Sequence, residues 1–146
     1  MKNYFCILII SFISIHSFGH GEDKPGPNGG FIRMPGVFHT EIVFDKKDDS
    51  FHLFLLDIEF KNPIVKNSSV DAILEQKRNK KVNFSCEVMG GNHYHCKPDK
   101  GYSKESGKLT LKVKRDGAEG IAEYILPLKW AKGAKDAKET DHSSHH

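Results

Sequence analysis

Beyond Ile15 the chain has no apolar run long enough to cross a bilayer, so no membrane insertion of the folded part is expected. Of its 146 residues only three are cysteines, and none are spaced as zinc-finger pairs. The haem-attachment pattern C-x-x-C-H is missing too. A blue-copper centre needs a free cysteine followed closely by His and Met, and "CKPDKGYSKESG" after the last cysteine offers neither. The net charge is only +3, with no basic stripe interleaved with aromatics, which argues against a nucleic-acid partner. No Ser-His-Asp grouping or phosphate loop is present, and no internal repeat, so the chain is not expected to be an enzyme or a solenoid.

What is present begins with an export signal. "MKNYFCILIISFISIHSFG" has one positive charge at Lys2, an apolar run from Tyr4 to Ile15, and a small-x-small end at Ser17-Phe18-Gly19. This layout predicts a signal peptide over residues 1–19, hence a periplasmic or secreted protein whose new amino terminus is His20. Cys6 lies too early in the apolar run to be a lipoprotein acceptor. Cleavage takes away one lysine and no acid, so the charge falls from +3 to +2 while 127 of the 146 residues remain, enough for one domain. Cys86 and Cys96 are then the only cysteines left, and in an oxidising compartment two cysteines pair.

"HGEDKPGPNGG", residues 20–30, is rich in Gly, Pro and charge and reads as a flexible N-terminal arm. Residues 129–146, with "HSSHH" at the end, lack apolar periodicity and read as a disordered tail. Between them, residues 31–128 carry hydrophobic alternation of period two with a turn signal every eight to twelve residues or so. "VFHTEIVFD", "SFHLFLLDI", "VDAILE", "KVNFSCEV", "NHYHCKP", "KLTLKVKR" and "GIAEYILPL" are the strand candidates, the last two joined through Asp116-Gly117. The fold class expected is all-β, an antiparallel immunoglobulin-like β-sandwich of about seven strands, with a small barrel as the alternative.

The densest chemistry lies in "SCEVMGGNHYHC", residues 85–96. A three-residue loop Gly90-Gly91-Asn92 sets Met89 against His93, Val88 against Tyr94, Glu87 against His95 and Cys86 against Cys96. A two-residue loop would place Cys86 against His95 instead. Directly opposed residues have Cβ atoms about 4.5–5.5 Å apart, close to what a disulfide requires. This register predicts a Cys86–Cys96 disulfide. It also gathers Glu87, Met89, His93 and His95 on one face, leaving Cys86, Val88, Tyr94 and Cys96 for the core. Imidazoles suit copper, zinc and nickel, and a thioether adds a preference for Cu(I). The bland reading is two surface histidines on an exposed hairpin, with Met89 covering apolar surface.

His39 and Glu41 share a strand face, and if the "DKKDDS" turn pairs Asp45 with Ser50, then Val43 meets His52 and His52 falls diagonal to Glu41. His39, Glu41 and His52 are therefore a second candidate cluster; alternatively His39 and Glu41 satisfy each other at a sheet edge. His20, as the mature N-terminal residue, would chelate through its amino group and ring together. The three tail histidines add a compositional signal for metal capture.

The stretch "HGEDKPGPNGGFIRMPGVFHTEIV", followed by "FHLFLLDIEFKNPIV", resembles the small periplasmic metal-binding domain attached to membrane-fusion adaptors of heavy-metal efflux pumps, and related free-standing exported proteins. The likeness spans roughly Gly19 to Val65. In such domains a histidine often precedes the double glycine; here Asn28 stands before Gly29-Gly30, and only His20 remains in the arm. The resemblance implies handling of copper, silver, zinc, cobalt or nickel, and an efflux or metal-transfer protein of the envelope as partner. The expectation is an exported copper-binding protein that buffers, delivers or confers resistance to the metal. The competing reading is an envelope structural or protein-interaction module without metal.

Overall fold

The computed structural model describes residues 24–130. They form eight strands: β1 (Phe31–Arg33), β2 (His39–Phe44), β3 (Phe51–Leu56), β4 (Ser69–Gln76), β5 (Lys80–Met89), β6 (His93–Pro98), β7 (Gly107–Arg115) and β8 (Ala118–Leu126). The only helical element among the described residues is a single 3₁₀ turn, Lys77–Asn79. All eight strands belong to one antiparallel sheet in the order β1-β2-β3-β6-β5-β4-β7-β8.

The all-β, antiparallel expectation holds, and each of the seven expected segments contains a strand. The eighth, β1, is three residues long, too short for a period of two to show in sequence. A sandwich implies two separately hydrogen-bonded sheets; here one continuous sheet curls until its edges meet, nearly a barrel. At that seam Arg33 Nε donates to the Glu123 carbonyl at 3.1 Å. The buried Tyr124 hydroxyl reaches Thr40 Oγ1 at 2.7 Å and the Phe31 carbonyl at 3.4 Å. Backbones approach so closely that a Cβ on Gly120 would lie 2.5 Å from the Pro35 carbonyl oxygen. Pro35 has no N–H to donate, which limits a regular ladder across this seam.

Alternation decides which side chains point in. Ile42, Phe51, Leu53, Leu55, Leu74, Val82, Leu109, Leu111 and Tyr124 fill the interior and are almost wholly buried. Burying each large apolar side chain contributes about 1.5–3 kcal/mol relative to exposure. The opposite parity of β2, β3 and β6 forms an outer face. On β3 that face carries His52, Phe54 and Leu56, of which Leu56 is buried and the other two are half-buried. The β7–β8 turn is Asp116-Gly117, both at positive φ (46° and 88°), as the Asp-Gly signal predicts.

Candidate metal centre

The hairpin has the register expected from sequence: Met89 pairs with His93, Val88 with Tyr94, Glu87 with His95 and Cys86 with Cys96. Gly90 and Gly91 sit at φ 60° and 74°, a region most side chains avoid, so the two glycines let the loop close in three residues. The Cys86–Cys96 disulfide is formed, with its Cα atoms 4.0 Å apart. Tyr94 and Cys96 lie in the core and Cys86 packs against it, whereas Val88 is 55% exposed. The reason is local: β5 pairs with β4 only as far as Phe84, so beyond it the hairpin overhangs the sheet.

On the outer face β3 completes the site. His52 pairs with His95 across the β3–β6 ladder, and their rings stack with centroids 4.8 Å apart. His93 comes within 5.1 Å of His52 and stacks on Phe54 at 4.7 Å. Three imidazoles from two neighbouring strands are thus packed together, with Glu87 and Met89 exposed on the next strand. In the sequence these residues fall into two separate clusters; the β3–β6 pairing, invisible in local pattern, joins His52 to the hairpin pair.

Each ring is held by its surroundings. His93 Nδ1 lies 2.7 Å from Asn92 Oδ1; a carbonyl-type oxygen only accepts, so Nδ1 carries the proton and Nε2 the lone pair. Burial, reinforced by the neighbouring His52 and His95, lowers the His93 pKa below the ordinary imidazole value, favouring the neutral form a metal requires. His95 Nε2 lies 2.8 Å from the buried Ser50 Oγ, which in turn hydrogen-bonds Asp48. Asp45 Oδ2 is 4.0 Å from His52 Nε2. Ser50, Asp48, Asn92 and Phe54 were not singled out from sequence. Only the parity that Ser50 shares with His52 is readable from sequence; its place diagonal to His95 follows from the β3–β6 pairing.

His39 and Glu41 do not join this cluster. Glu41 is fully buried and accepts from Asn28 N (2.8 Å), Asn28 Nδ2 (2.9 Å) and Gly30 N (2.8 Å), so the "GPNGG" loop is anchored on its carboxylate. The close fit is visible at Gly26, where an added Cβ would fall 2.5 Å from the Glu41 carboxyl carbon. His39 is 2% exposed, donates from Nδ1 to the Asp57 carbonyl at 3.0 Å and stacks on Phe60 at 4.1 Å. Its Nε2 is buried without a hydrogen-bond partner among the described residues. No hydrogen bond or ion pair joins His39, Glu41 and His52 in the described part of the chain. His20, the three tail histidines, the signal segment and Cys6 lie outside the described residues.

Among the described residues no group of three or more His, Cys, Asp or Glu side chains is arranged to hold a metal ion. The imidazoles of His52 and His95 present faces to one another, so joint coordination requires side-chain rotation. All three rings are only half-buried, which leaves room for that rotation. The donor set, three imidazoles beside a thioether and a carboxylate, fits copper, zinc or nickel. No family model, characterised protein or solved structure matches the chain.

Proposed function

We propose that the chain is an exported, periplasmic transition-metal-binding protein that captures copper on the His52, His93 and His95 face and releases it to an envelope partner. The observation that carries this reading is the packing of three imidazoles from β3 and β6 on a hairpin stapled by a disulfide. Met89 and Glu87 adjoin it as thioether and carboxylate donors, the former suited to Cu(I). An open face suits reversible capture: ligands at an exposed edge exchange a metal with a partner more readily than a closed core. The disulfide accords with an oxidising compartment, and the N-terminal segment and the likeness to efflux-adaptor domains point the same way. The role is binding and hand-over, not catalysis. Equilibrium dialysis against Cu(I), Cu(II) and Zn(II), with nickel, cobalt and silver as competitors, tests it. Stoichiometric binding tighter than micromolar supports the reading, and its absence for every ion removes it.

A second reading, an envelope interaction module with no metal, is favoured by a separate observation. Ile121 and Ile125 on β8 are 57% and 58% exposed, and Ile73 on β4 is also exposed. Under that reading a His93→Ala/His95→Ala double variant keeps full function while polar substitutions at these isoleucines abolish it.

A further inference from the structure

Ser50 joins a buried position to a hydrogen-bond chain that ends on one of the three rings. It is 1% exposed, its backbone N–H donates to Asp48 Oδ1 at 2.7 Å, and its hydroxyl bonds the same oxygen. These two bonds hold the Asp48 carboxyl below its usual range, with desolvation opposing them. An ionised carboxylate has no proton to give, so the single hydroxyl proton of Ser50 points to Asp48. The hydroxyl oxygen then meets His95 Nε2, 2.8 Å away, as an acceptor. Nε2 must therefore carry the ring proton. Nδ1 is left with the lone pair and has no hydrogen-bond partner among the described residues.

We propose that Ser50, backed by Asp48, is a positioning residue that locks His95 in its Nε2–H tautomer and so offers Nδ1 as the metal-binding nitrogen. The ligand half of this inference rests on the function proposed above; the tautomer half does not. The arrangement follows a general rule of metal sites, in which the ring nitrogen not bound to metal donates to an oxygen that orients it and raises its donor strength. Here the serine hydroxyl passes the carboxylate's influence to the ring. His93 uses the opposite tautomer, with Asn92 on Nδ1 and the lone pair on Nε2. The inference thus assigns different ligating nitrogens to two residues only two positions apart.

The test uses the full chain, wild type and with Ser50→Ala, Ser50→Thr and Asp48→Asn, in two measurements. Long-range ¹H–¹⁵N correlations of the histidine rings in metal-free protein report each tautomer, and titration with aqueous Cu(II) reports affinity. The expected result is a single Nε2–H form for His95 in wild type and a mixed population in Ser50→Ala. Cu(II) affinity should fall by about 10- to 100-fold in Ser50→Ala, as for loss of other orienting partners, and be restored in Ser50→Thr. Asp48→Asn keeps an acceptor for the turn and tests the charge separately, with a smaller loss expected. A wild-type His95 that is Nδ1–H or mixed overturns the inference. So does a folded Ser50→Ala that binds Cu(II) as tightly as wild type, and that outcome leaves the metal reading intact. Absence of Cu(II) binding in wild type, with His95 still Nε2–H, overturns the proposed function and the ligand role of Nδ1 together.

Discussion

His95 on β6 stands directly opposite His52 on β3, and the two rings lie nearly parallel at 4.8 Å. Neutral imidazoles can stack at that separation, whereas two imidazolium ions would repel each other. His93 packs against this pair, its ring 5.1 Å from that of His52.

Burial, with the neighbouring His52 and His95, depresses the His93 pKa. An NMR titration should find its apparent value below the ordinary imidazole value of 6.5, and exchanging His52 for Ala should raise it. The sign for stability follows from linkage. The unfolded chain takes up a proton as pH falls through 6.5, while the folded chain takes it up only at lower pH. Stability is unaffected by this group above that range and declines as pH drops below it. A His93 value above 6.5 in the folded protein would contradict the packing described.

Removing the staple should destabilise the fold without misplacing the sheet. The two cysteines are 10 residues apart, and closing a loop of that size constrains the unfolded chain by roughly 3 kcal/mol. A Cys86→Ala/Cys96→Ala variant should melt roughly 10–20 °C lower. Because the hairpin overhangs the sheet beyond Phe84, the loss should appear first as faster hydrogen exchange in residues 87–93. Unchanged exchange there would show that the hairpin is held by other means.

Glu41→Gln should separate structure from metal. The amide keeps one accepting oxygen for Asn28 N and Gly30 N, but its NH₂ group then meets the Asn28 side-chain NH₂ where a carboxylate oxygen was. A cost of about 1–3 kcal/mol in denaturant unfolding is expected. Metal affinity should be unchanged, since Glu41 lies outside the imidazole cluster; a large loss of affinity in a folded variant would return it to the candidate ligands.

Tyr102 gives an alkaline signature. Its hydroxyl donates to the Asp49 carbonyl at 2.8 Å, and burial, then the charges of Asp49 and Asp48, push its pKa well above 10.0. Above pH 10 the unfolded chain loses this proton and the folded chain keeps it, so stability falls as pH rises. Tyr102→Phe should be less stable at pH 8 by about 0.5–1.5 kcal/mol, the net worth of one hydrogen bond. The gap should narrow by pH 11, since the variant has no phenol to ionise. A gap that stays constant would mean that the phenol titrates normally.

The strands were legible because each long segment obeys a period of two, and the hairpin register because two cysteines and a Gly-Gly-Asn loop leave one good pairing. The way the sheet closes was not legible. It depends on β1, three residues long, and on the approach of Pro35 to Gly120, which no local pattern announces. Strand parity placed His39, Glu41 and His52 on the correct face. It did not show which stretches of that face are covered: the 26–30 loop takes Glu41, and Phe60 covers His39. The same parity argument puts Val88 in the core, yet it is exposed, because β5 parts from β4 after Phe84 and carries Val88 beyond that pairing. The imidazole cluster needed the β3–β6 pairing, a contact between residues more than forty positions apart in sequence.

The most direct test is a side-by-side calorimetric titration of Cu(II) into wild type, His52→Ala and His39→Phe, with His20 and the tail histidines present in every sample. His39→Phe keeps the ring stacked on Phe60, so it controls for a buried histidine outside the cluster. The account predicts one ion per wild-type chain bound tighter than micromolar, at least about tenfold weaker binding in His52→Ala, and no change in His39→Phe. Equal affinity in wild type and His52→Ala, or no stoichiometric binding tighter than micromolar, would contradict it.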